Sequence, residues 1–212
     1  MTRLPEKESK DADRLHTLLD STRLAHIGLV ADGHPLVVPT GFVRDGDRLL
    51  VHGSTGSRWM RTLADRADAC VSVTSLEGIV VARSTFESSF QYRSAVVFGR
   101  FTQVEGPAKT AALDLLADGL IPGRRAEVRL STTREVAATL VLAMPIDEWS
   151  LRISEGWPED EAGDIAGQAW AGVVPMRTVY DEPAPAPDLR AGIDVPASVR
   201  ALTPEPSTSQ PR

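Results

Sequence analysis

The segment with the most evident chemistry is residues 52–61, which reads HGSTGSRWMR. The pattern predicts a strand end, a turn of small residues and a helix start with Ser57 as its N-cap. Unpaired N–H groups at a helix start favour an anion, and the planar guanidinium of Arg58 suits a phosphate. The segment therefore predicts an anion site. A capped helix after a flexible turn, with a solvated arginine, fits the same residues.

A second segment, residues 36–42, reads LVVPTGF and places a proline inside a strand-like run. Pro39 fits poorly in a central strand and indicates an edge or a break. Thr40 and Gly41 beside it would let a flat ligand approach the backbone closely, because glycine has no Cβ. An edge strand with a bulge is the competing interpretation.

A third segment, residues 82–99, reads ARSTFESSFQYRSAVVFG. Residues 84–91 break the strand alternation and predict a loop. Arg93 and Ser94 then open a strongly apolar strand, and a polar cluster at the mouth of a buried strand is a common position for ligand contacts. A hairpin end with solvated polar residues fits equally well.

The remaining histidines and the single cysteine predict no second reactive site. His16 and His34 are expected to be solvated, and His26, in an alternating strand, is expected to pack. Cys70 is expected to be a small packing residue. No group of His, Cys and carboxylate residues has metal-ligand spacing, so no bound metal is predicted. No catalytic side chain can be named from these residues.

The elements that must position these segments are mostly strands. Asp-Gly pairs at 32–33 and 45–46 are flanked by β-rich runs, which predicts an antiparallel meander. The predicted elements do not alternate between strand and helix, as they would in a protein with a parallel sheet. A mainly β antiparallel barrel of six to seven strands is therefore favoured. The predicted strands are residues 25–31, 35–43, 48–52, 69–74, 79–84, 92–105 and 139–153, and the predicted helices are residues 7–21, 58–66 and 109–120, with a further turn at 134–137.

The two ends of the chain differ from its centre. Residues 1–13 are predicted to be a flexible N-terminus and residues 14–180 the folded domain. Seven of the 15 prolines lie in residues 181–212, so this tail is expected to be extended and disordered.

Composition and charge exclude several classes of protein. The net charge is −6, so the chain lacks the basic excess that nucleic-acid-binding proteins usually carry. No apolar run is long enough to span a membrane, and no signal peptide is visible. One cysteine cannot form an internal disulfide. A cytoplasmic protein is therefore expected.

The three segments, in this order and with AWAGVVPMRTV near residue 170, resemble the pyridoxamine 5′-phosphate oxidase-like flavoproteins. The nearest branch is the one related to nitroimidazole-resistance reductases, and the resemblance covers roughly residues 14–180. It implies a split β-barrel, a homodimer and FMN bound at the dimer interface.

The resemblance also assigns roles to individual residues. The small-residue turn that ends in Ser57 and Arg58 would hold the FMN phosphate. Trp59 stands where the oxidase has a lysine, which removes one cationic contact. The remaining implied cofactor contacts are Pro39, Thr40 and Gly41 along the isoalloxazine ring, His52 and Gly53 before the turn, Arg93 and Ser94 at the pyrimidine edge, and Trp170 from the partner subunit.

The activity that the resemblance implies is an oxidoreductase acting on a small, flat, electron-poor substrate, with the redox chemistry supplied by the cofactor. Pyridoxamine phosphate oxidation is disfavoured, because that activity needs a C-terminal clamp of Arg and His residues for the substrate phosphate. Arg177 is the only such residue between Trp170 and the proline-rich tail. A non-catalytic protein that binds flavin or haem on the same barrel remains an alternative, as does a deazaflavin-dependent reductase.

Overall fold

The computed structural model describes residues 7–203, and in these residues ten antiparallel strands form a split β-barrel. The strands are β1 Glu8–Ser9, β2 Leu24–Ala31, β3 His34–Asp45, β4 Arg48–Ser54, β5 Asp68–Val81, β6 Ser89–Arg100, β7 Thr102–Gln103, β8 Thr139–Pro145, β9 Glu148–Ser154 and β10 Gly172–Pro175. The helices are α1 Ala12–Ser21, α2 Arg58–Ala64, α3 Gly106–Leu120, α4 Thr133–Ala137, α5 Ala162–Ile165 and α6 Ala197–Arg200.

The mainly β, antiparallel fold predicted from the sequence is confirmed. Seven strands have seven or more residues, in agreement with the expected six to seven. The short strands β1 and β10 were not predicted, and β1 falls within the predicted helix 7–21, which begins at Ala12 instead. Both Asp-Gly turns join consecutive antiparallel strands, with Gly33 at φ +76° and Gly46 at φ +59°.

Four of the seven predicted strands were wrong in their boundaries. Residues 69–74 and 79–81 belong to one strand, β5, whose pairing with β6 shifts between Leu76 and Gly78, and residues 82–84 lie beyond its end. Residues 139–153 are two strands, because the chain turns after Pro145 and the Ile146 N–H donates to the Asp47 carbonyl at 2.8 Å. Residues 92–105 also divide, into β6 and β7.

Strand β3 connects the two halves of the barrel by changing its partner. Its first part pairs with β2 as far as Gly41 opposite Leu24, and its second part pairs with β4 from Phe42 opposite Val51. The order of the strands is β1-β9-β6-β5-β2-β3-β4-β8-β7, with β10 on β5. The change of partner at residues 41–42 therefore opens the sheet between β3 and β4.

The core lies inside the barrel and is closed by two helices. Helix α1 buries Leu15, Leu18 and Leu19, and Asp11 caps it by accepting from the N–H groups of residues 13 and 14. Helix α2 buries Met60 and Leu63 in the same cluster. Alternation along the strands supplies most of the other buried residues, which include Ile27, Leu49, Val51, Val71, Val97, Leu142 and Leu151, and Phe101 is buried between β6 and β7.

Helix α3 covers the outer surface of β4 and β8. Its Ala112 and Leu116 join Leu50 and Val141 in a second buried cluster. The approach is closest at Gly119, where an added Cβ would lie 2.1 Å from Val43 Cγ1. Glycine is therefore required at this position for the helix to dock.

The corresponding outer surface of the other half of the barrel has no such cover. We call it the open face: the outward side chains of β2, of residues 34–41 of β3, of β5 and of β6. Val30 and Val37 are 60% and 64% exposed there, whereas Ala25, Ile27 and Leu29 on the opposite side of β2 are buried. The open face is an apolar sheet surface that the described residues leave uncovered.

The C-terminal part of the described chain returns to the barrel at two places. Tyr180 lies beside Arg23, whose guanidinium donates to its hydroxyl at 3.0 Å. The N–H and the hydroxyl of Ser198, in α6, donate to the Glu127 carboxylate at 3.0 and 2.5 Å. The predicted division into a flexible N-terminus, a domain and a disordered tail stays a prediction, and residues 1–6 and 204–212 lie outside the described part of the chain.

Candidate functional site

The partner change of β3 creates the candidate site. The β3–β4 ladder ends at Phe42 and Val51, so residues 39–41 and 52–54 face each other without pairing. We call the space between these two edges the sheet gap. In the described residues, each edge pairs only with the strand on its far side, β2 or β8. Backbone edges of this kind can hydrogen-bond the polar rim of a flat ligand.

The turn that follows β4 is held by its own hydrogen bonds. The Gly56 N–H donates to the Ser54 hydroxyl at 3.1 Å, and the Ser57 N–H donates to the Ser54 carbonyl at 3.0 Å. Ser57 occupies the N-cap position of α2, as expected, but its side chain makes no capping hydrogen bond. Because α2 has only seven residues, an anion here would depend on the side chains of Ser57 and Arg58.

Arg58 forms an ion pair with Asp32 at the tip of the β2–β3 turn. The two side chains are 71% and 57% exposed, so water screens their attraction and the pair contributes little to stability. The guanidinium therefore lies at the rim of the sheet gap with a partner that a phosphate could displace.

His52 projects from the last part of β4, on the side away from the core. Its pair on β8 is Val141, which is fully buried. The side chain reaches the surface, but partial burial among the neighbouring strands lowers the pKa of His52 from its ordinary value of 6.5. Burial disfavours the charged form, so the neutral imidazole predominates beside the gap at neutral pH.

Gly53 and Trp59 contribute to the packing of the core as well as to the turn after β4. A Cβ on Gly53 would lie 2.8 Å from Met60 Cγ, so the absence of a side chain lets α2 pack against β4. The Trp59 ring packs against the main core cluster. Gly53 can therefore offer only its backbone to the gap.

The structure separates Arg93 and Ser94 from the sheet gap. Both lie on β6, three strand positions from β3, which is about 14 Å at the usual spacing. They also lie on opposite faces of β6: Arg93 shares the side of Ala95 and Val97 and donates to Glu77 at 2.5 Å, whereas Ser94 accepts from Thr74 on the open face. Within one chain, these two residues and the gap residues do not form a single site.

Trp170 lies just before β10 and is 67% exposed. Its ring covers Gly172, where an added Cβ would be 2.9 Å from the indole carbons. Strand β10 pairs with residues 78–81 of β5, beyond the part of β5 that pairs with β2. The structure therefore places Trp170 apart from the gap of its own chain.

Two residues of interest were not assigned a ligand role from the sequence. Asp32 was recognised only as part of a turn, and the charge opposite Arg58 was missed because 26 residues separate them in sequence. His26 was expected to pack, but its side chain is exposed on the open face. Alternation between buried Ala25 and Ile27 is the signal that could have placed it outside.

One cavity of the described residues lies away from all the predicted cofactor contacts. It has a volume of about 680 Å³ and lies between β1, the start of α1, the loop before β6 and residues 153–159. The exposed aromatic rings of Phe86 and Trp157 line it, together with Lys7, Arg14 and four glutamates. No residue predicted to contact the cofactor is among its lining residues.

Metal and membrane features were searched in residues 7–203. No group of three or more His, Cys, Asp and Glu residues there is arranged to hold a metal ion. No helix within this range combines the length and the apolar character needed to cross a bilayer.

Comparison with known proteins identifies close relatives. The sequence profile described as pyridoxamine 5′-phosphate oxidase matches residues 11–153. A solved FAD and heme binding protein from Mycobacterium smegmatis is 56% identical, with a TM-score of 0.90, and the match covers 93% of this chain and 97% of that one. No curated protein matches the chain significantly.

Two further solved structures share the architecture. The flavocytochrome Anf3 from Azotobacter vinelandii is 34% identical, with a TM-score of 0.89, over 95% of this chain and 94% of that one. A candidate 5-nitroimidazole antibiotic resistance protein from Bacteroides thetaiotaomicron is 19% identical, with a TM-score of 0.58, over 69% of this chain and 86% of that one. At 19% identity, the similarity to the Bacteroides protein shows a shared fold and nothing further.

Proposed function

The chain belongs to the pyridoxamine 5′-phosphate oxidase family, and on that premise we propose that it is a flavoprotein that binds FAD, with the FMN half of the cofactor in the sheet gap. The observation that carries the proposal is the 56% identity to an FAD and heme binding protein over 93% of this chain. FMN, the cofactor predicted from the sequence, is FAD without its adenosine monophosphate part. The same residues of the sheet gap would therefore contact either flavin.

The geometry supports this position for the flavin. The edges at residues 39–41 and 52–54 offer backbone groups to a planar ring, and neutral His52 stands beside them. Arg58 and Ser57 lie where a phosphate on the same ligand would reach the rim. A planar ring with a short phosphorylated chain matches this arrangement. Flavin cofactors supply hydride and electron transfer when bound.

We propose a homodimer as the working form. The open face carries exposed apolar side chains, and the segment from 157 to 180 adds Trp157, Trp170 and Val179, all more than half exposed. Exposed apolar surface of this kind is typical of an interaction site. A second copy on the open face would cover it and would bring another chain's β6 or Trp170 towards the gap, which one chain alone does not do.

The activity we propose is that of an oxidoreductase on a small, flat, electron-poor substrate. The chain's own contribution would be to hold the flavin by its phosphate, to orient the ring between two strand edges and to exclude water through the partner's surface. The cytoplasmic location expected from the sequence stays a prediction.

A second cofactor, haem, is proposed on a separate observation. The relative at 56% identity is described as binding haem as well as FAD, and the relative at 34% is a flavocytochrome. Both matches extend over more than nine-tenths of this chain. Haem iron in proteins takes histidine as an axial ligand, and all four histidines of the chain lie in the described residues.

The test is to purify the full chain and identify what it carries. Absorbance spectra and mass spectrometry of the released cofactor distinguish FAD, FMN, deazaflavin and haem. A colourless protein that also fails to bind added FAD and FMN would overturn the flavin proposal. Bleaching of the flavin by NADH or NADPH, followed by turnover with an electron acceptor, would establish an enzyme rather than a passive binder.

A further inference from the structure

The cavity of about 680 Å³ beside β1 and the start of α1 shares no lining residue with the sheet gap. We call it the aromatic cavity, because Phe86 and Trp157 line it. Its buried lining residues include the apolar Val80 of β5 and Ile153 of β9. Small-molecule sites are concave, have volumes of about 300–1,000 Å³ and combine apolar or aromatic walls with a few polar groups. The volume and the lining therefore suit a small organic ligand.

The rings of Phe86 and Trp157 are 84% and 74% exposed, the two highest values among the large hydrophobic side chains of residues 7–203. Both belong to the same cavity, although 71 residues separate them in sequence. Aromatic side chains contribute large apolar areas to cores and interfaces. Two rings in solvent on the walls of one cavity therefore form a surface that a flat ligand would cover.

The loop that carries Phe86 is held in place by a buried ion pair. The N–H and the guanidinium of Arg83 donate to the Asp160 carboxylate at 2.7 and 2.8 Å, and the Asp160 side chain is only 1% exposed. The Ala82 N–H donates to the Ser88 hydroxyl at 3.1 Å and closes the loop on itself. These bonds fix the backbone on either side of Phe86.

The segment that carries Trp157 is also tied to the barrel. The Gln91 side-chain amide donates to the carbonyls of Glu155 and Gly156 at 3.2 and 3.1 Å. Arg14, from α1, forms an ion pair with the Glu155 carboxylate at 2.8 Å. Both aromatic walls are therefore anchored before any ligand arrives, which lowers the cost of ordering them on binding.

The charges around the aromatic cavity are predominantly negative. Two cationic side chains and four carboxylates line it: Lys7, Arg14, Glu8, Glu87, Glu155 and Glu159. Because Arg14 is paired with Glu155, the remaining lining charges are Lys7 and three carboxylates. A cavity lined by an excess of one charge attracts ligands of the opposite charge, and the faces of Trp and Phe rings attract cations. Charge and aromatic lining therefore favour the same class of ligand.

We infer that the aromatic cavity binds a flat organic cation, such as a heteroaromatic compound with a quaternary nitrogen, at a site separate from that of the flavin. The ligand ring contacts Trp157 and Phe86, and its positive charge faces the carboxylates. A phosphate-bearing ligand such as FAD would bring its own negative charge against the same carboxylates. The inference does not rest on the flavin proposal, because no residue is common to the two sites.

The test is calorimetric titration of the purified full chain, with and without excess FAD, using two flat two-ring probes of opposite charge. N-methylquinolinium is the cation and naphthoate is the anion. The cation should bind at least about tenfold more tightly than the anion, and excess FAD should leave its affinity unchanged. Tighter binding of naphthoate, or displacement of the cation by FAD, would overturn the inference.

Variants test the role of the rings. Trp157→Ala and Phe86→Ala should each weaken binding of the cation by about fivefold or more, whereas Trp157→Phe, which keeps a ring, should retain most of the affinity. Phe98→Ala is the matched control, since Phe98 is 42% exposed on β6 and does not line the cavity. Equal affinities in Phe86→Ala and Phe98→Ala would contradict the inference even if Trp157→Ala failed to fold.

A second pair of variants tests the role of the charge. Glu87→Gln combined with Glu159→Gln should weaken binding of the cation by about threefold or more and strengthen binding of naphthoate. Glu148→Gln, at an exposed position of β9 outside the cavity, should change neither affinity. A wild-type chain that binds FAD but not N-methylquinolinium removes this inference while the flavin proposal stands. Binding of the cation without FAD, abolished in Phe86→Ala, has the opposite consequence.

Discussion

Arg58, at the first position of α2, is held by Asp32, at the tip of the turn between β2 and β3. Both side chains are mostly exposed, so the pair is a weak restraint that positions a cation at the rim of the sheet gap. Asp32 itself has φ +51°, a conformation that Asn and Asp tolerate better than most residues. The proposed phosphate contact therefore begins from a guanidinium that already has an anionic partner.

Replacing Arg58 should weaken flavin binding without unfolding the protein. Arg58→Ala removes a charged hydrogen bond, which corresponds to about 1.5–3 kcal/mol or roughly 10- to 100-fold in Kd. Arg61→Ala, on the same helix and exposed, is the matched control. Flavin fluorescence titration measures both affinities, and equal affinity in the two variants would refute the phosphate role of Arg58.

Removing the competing charge should have the opposite effect. Asp32→Asn keeps a residue suited to positive φ but frees Arg58 from its ion pair. Because exposed pairs contribute about 0.2–1 kcal/mol, flavin affinity should rise by roughly 1.5- to 5-fold. The increase should disappear when Arg58 is also alanine. A weaker affinity in Asp32→Asn would show that Asp32 orients the guanidinium rather than competing for it.

The contact between Gly28 and Cys70 should be visible in stability measurements. Gly28→Ala places a Cβ within 2.8 Å of Cys70 Sγ, and overpacking of this kind destabilises by about 1–3 kcal/mol. Cys70→Ala removes the obstructing sulfur, so the double variant should be more stable than the sum of the two single changes predicts. Urea unfolding of the four proteins measures the coupling, and strict additivity would contradict the contact.

The pH dependence of stability should carry a contribution from His52. Burial lowers its folded-state pKa below 6.5, so the unfolded chain binds a proton more readily. Stability is therefore lost as the pH falls through 6.5 towards the lower folded pKa. His52→Gln should reduce this loss. Unfolding free energies measured across that range, for both proteins, test it; parallel curves would mean that His52 is not desolvated.

The contact between Ser198 and Glu127 should determine how firmly the C-terminal segment is held. Glu127 accepts two hydrogen bonds from Ser198, and replacing the carboxylate weakens charge-assisted bonds of this kind. Glu127→Gln should therefore increase amide exchange in Ala197–Arg200. Glu161→Gln, at the N-cap of α5, is the control. Fast exchange in the wild-type segment would instead support the disordered tail predicted from the sequence.

Much of the fold could be predicted because its turns are marked by local chemistry. Asp32-Gly33 and Asp45-Gly46 identify two hairpins, and Pro107 marks the start of α3. The hairpin between β8 and β9 was missed because its turn contains the apolar Ile146, which continues the strand pattern. The continuity of β5 was missed because the register shift at Leu76 and Gly78 interrupts the alternation.

The candidate site could be predicted less completely, for a different reason. Residues 39–41 and 52–58 are brought near each other by the partner change in β3, which depends on which strands pair and is not visible in any local pattern. Alternation alone would have placed Arg93 and Ser94 on opposite faces. The pairing of Arg93 with Glu77 depends on the register of β5 and β6, which the sequence leaves undetermined.

The uneven cover of the barrel has a practical consequence for handling the protein. The chain has only three lysines, Lys7, Lys10 and Lys109. Lys109 lies in α3 on the covered side, and the other two lie near β1, so none is on the open face. Dyes or sensor surfaces coupled through the lysine side chains would attach to the other sides of the molecule. The apolar surface of β2 and its neighbours would then remain accessible to a second copy or a cofactor.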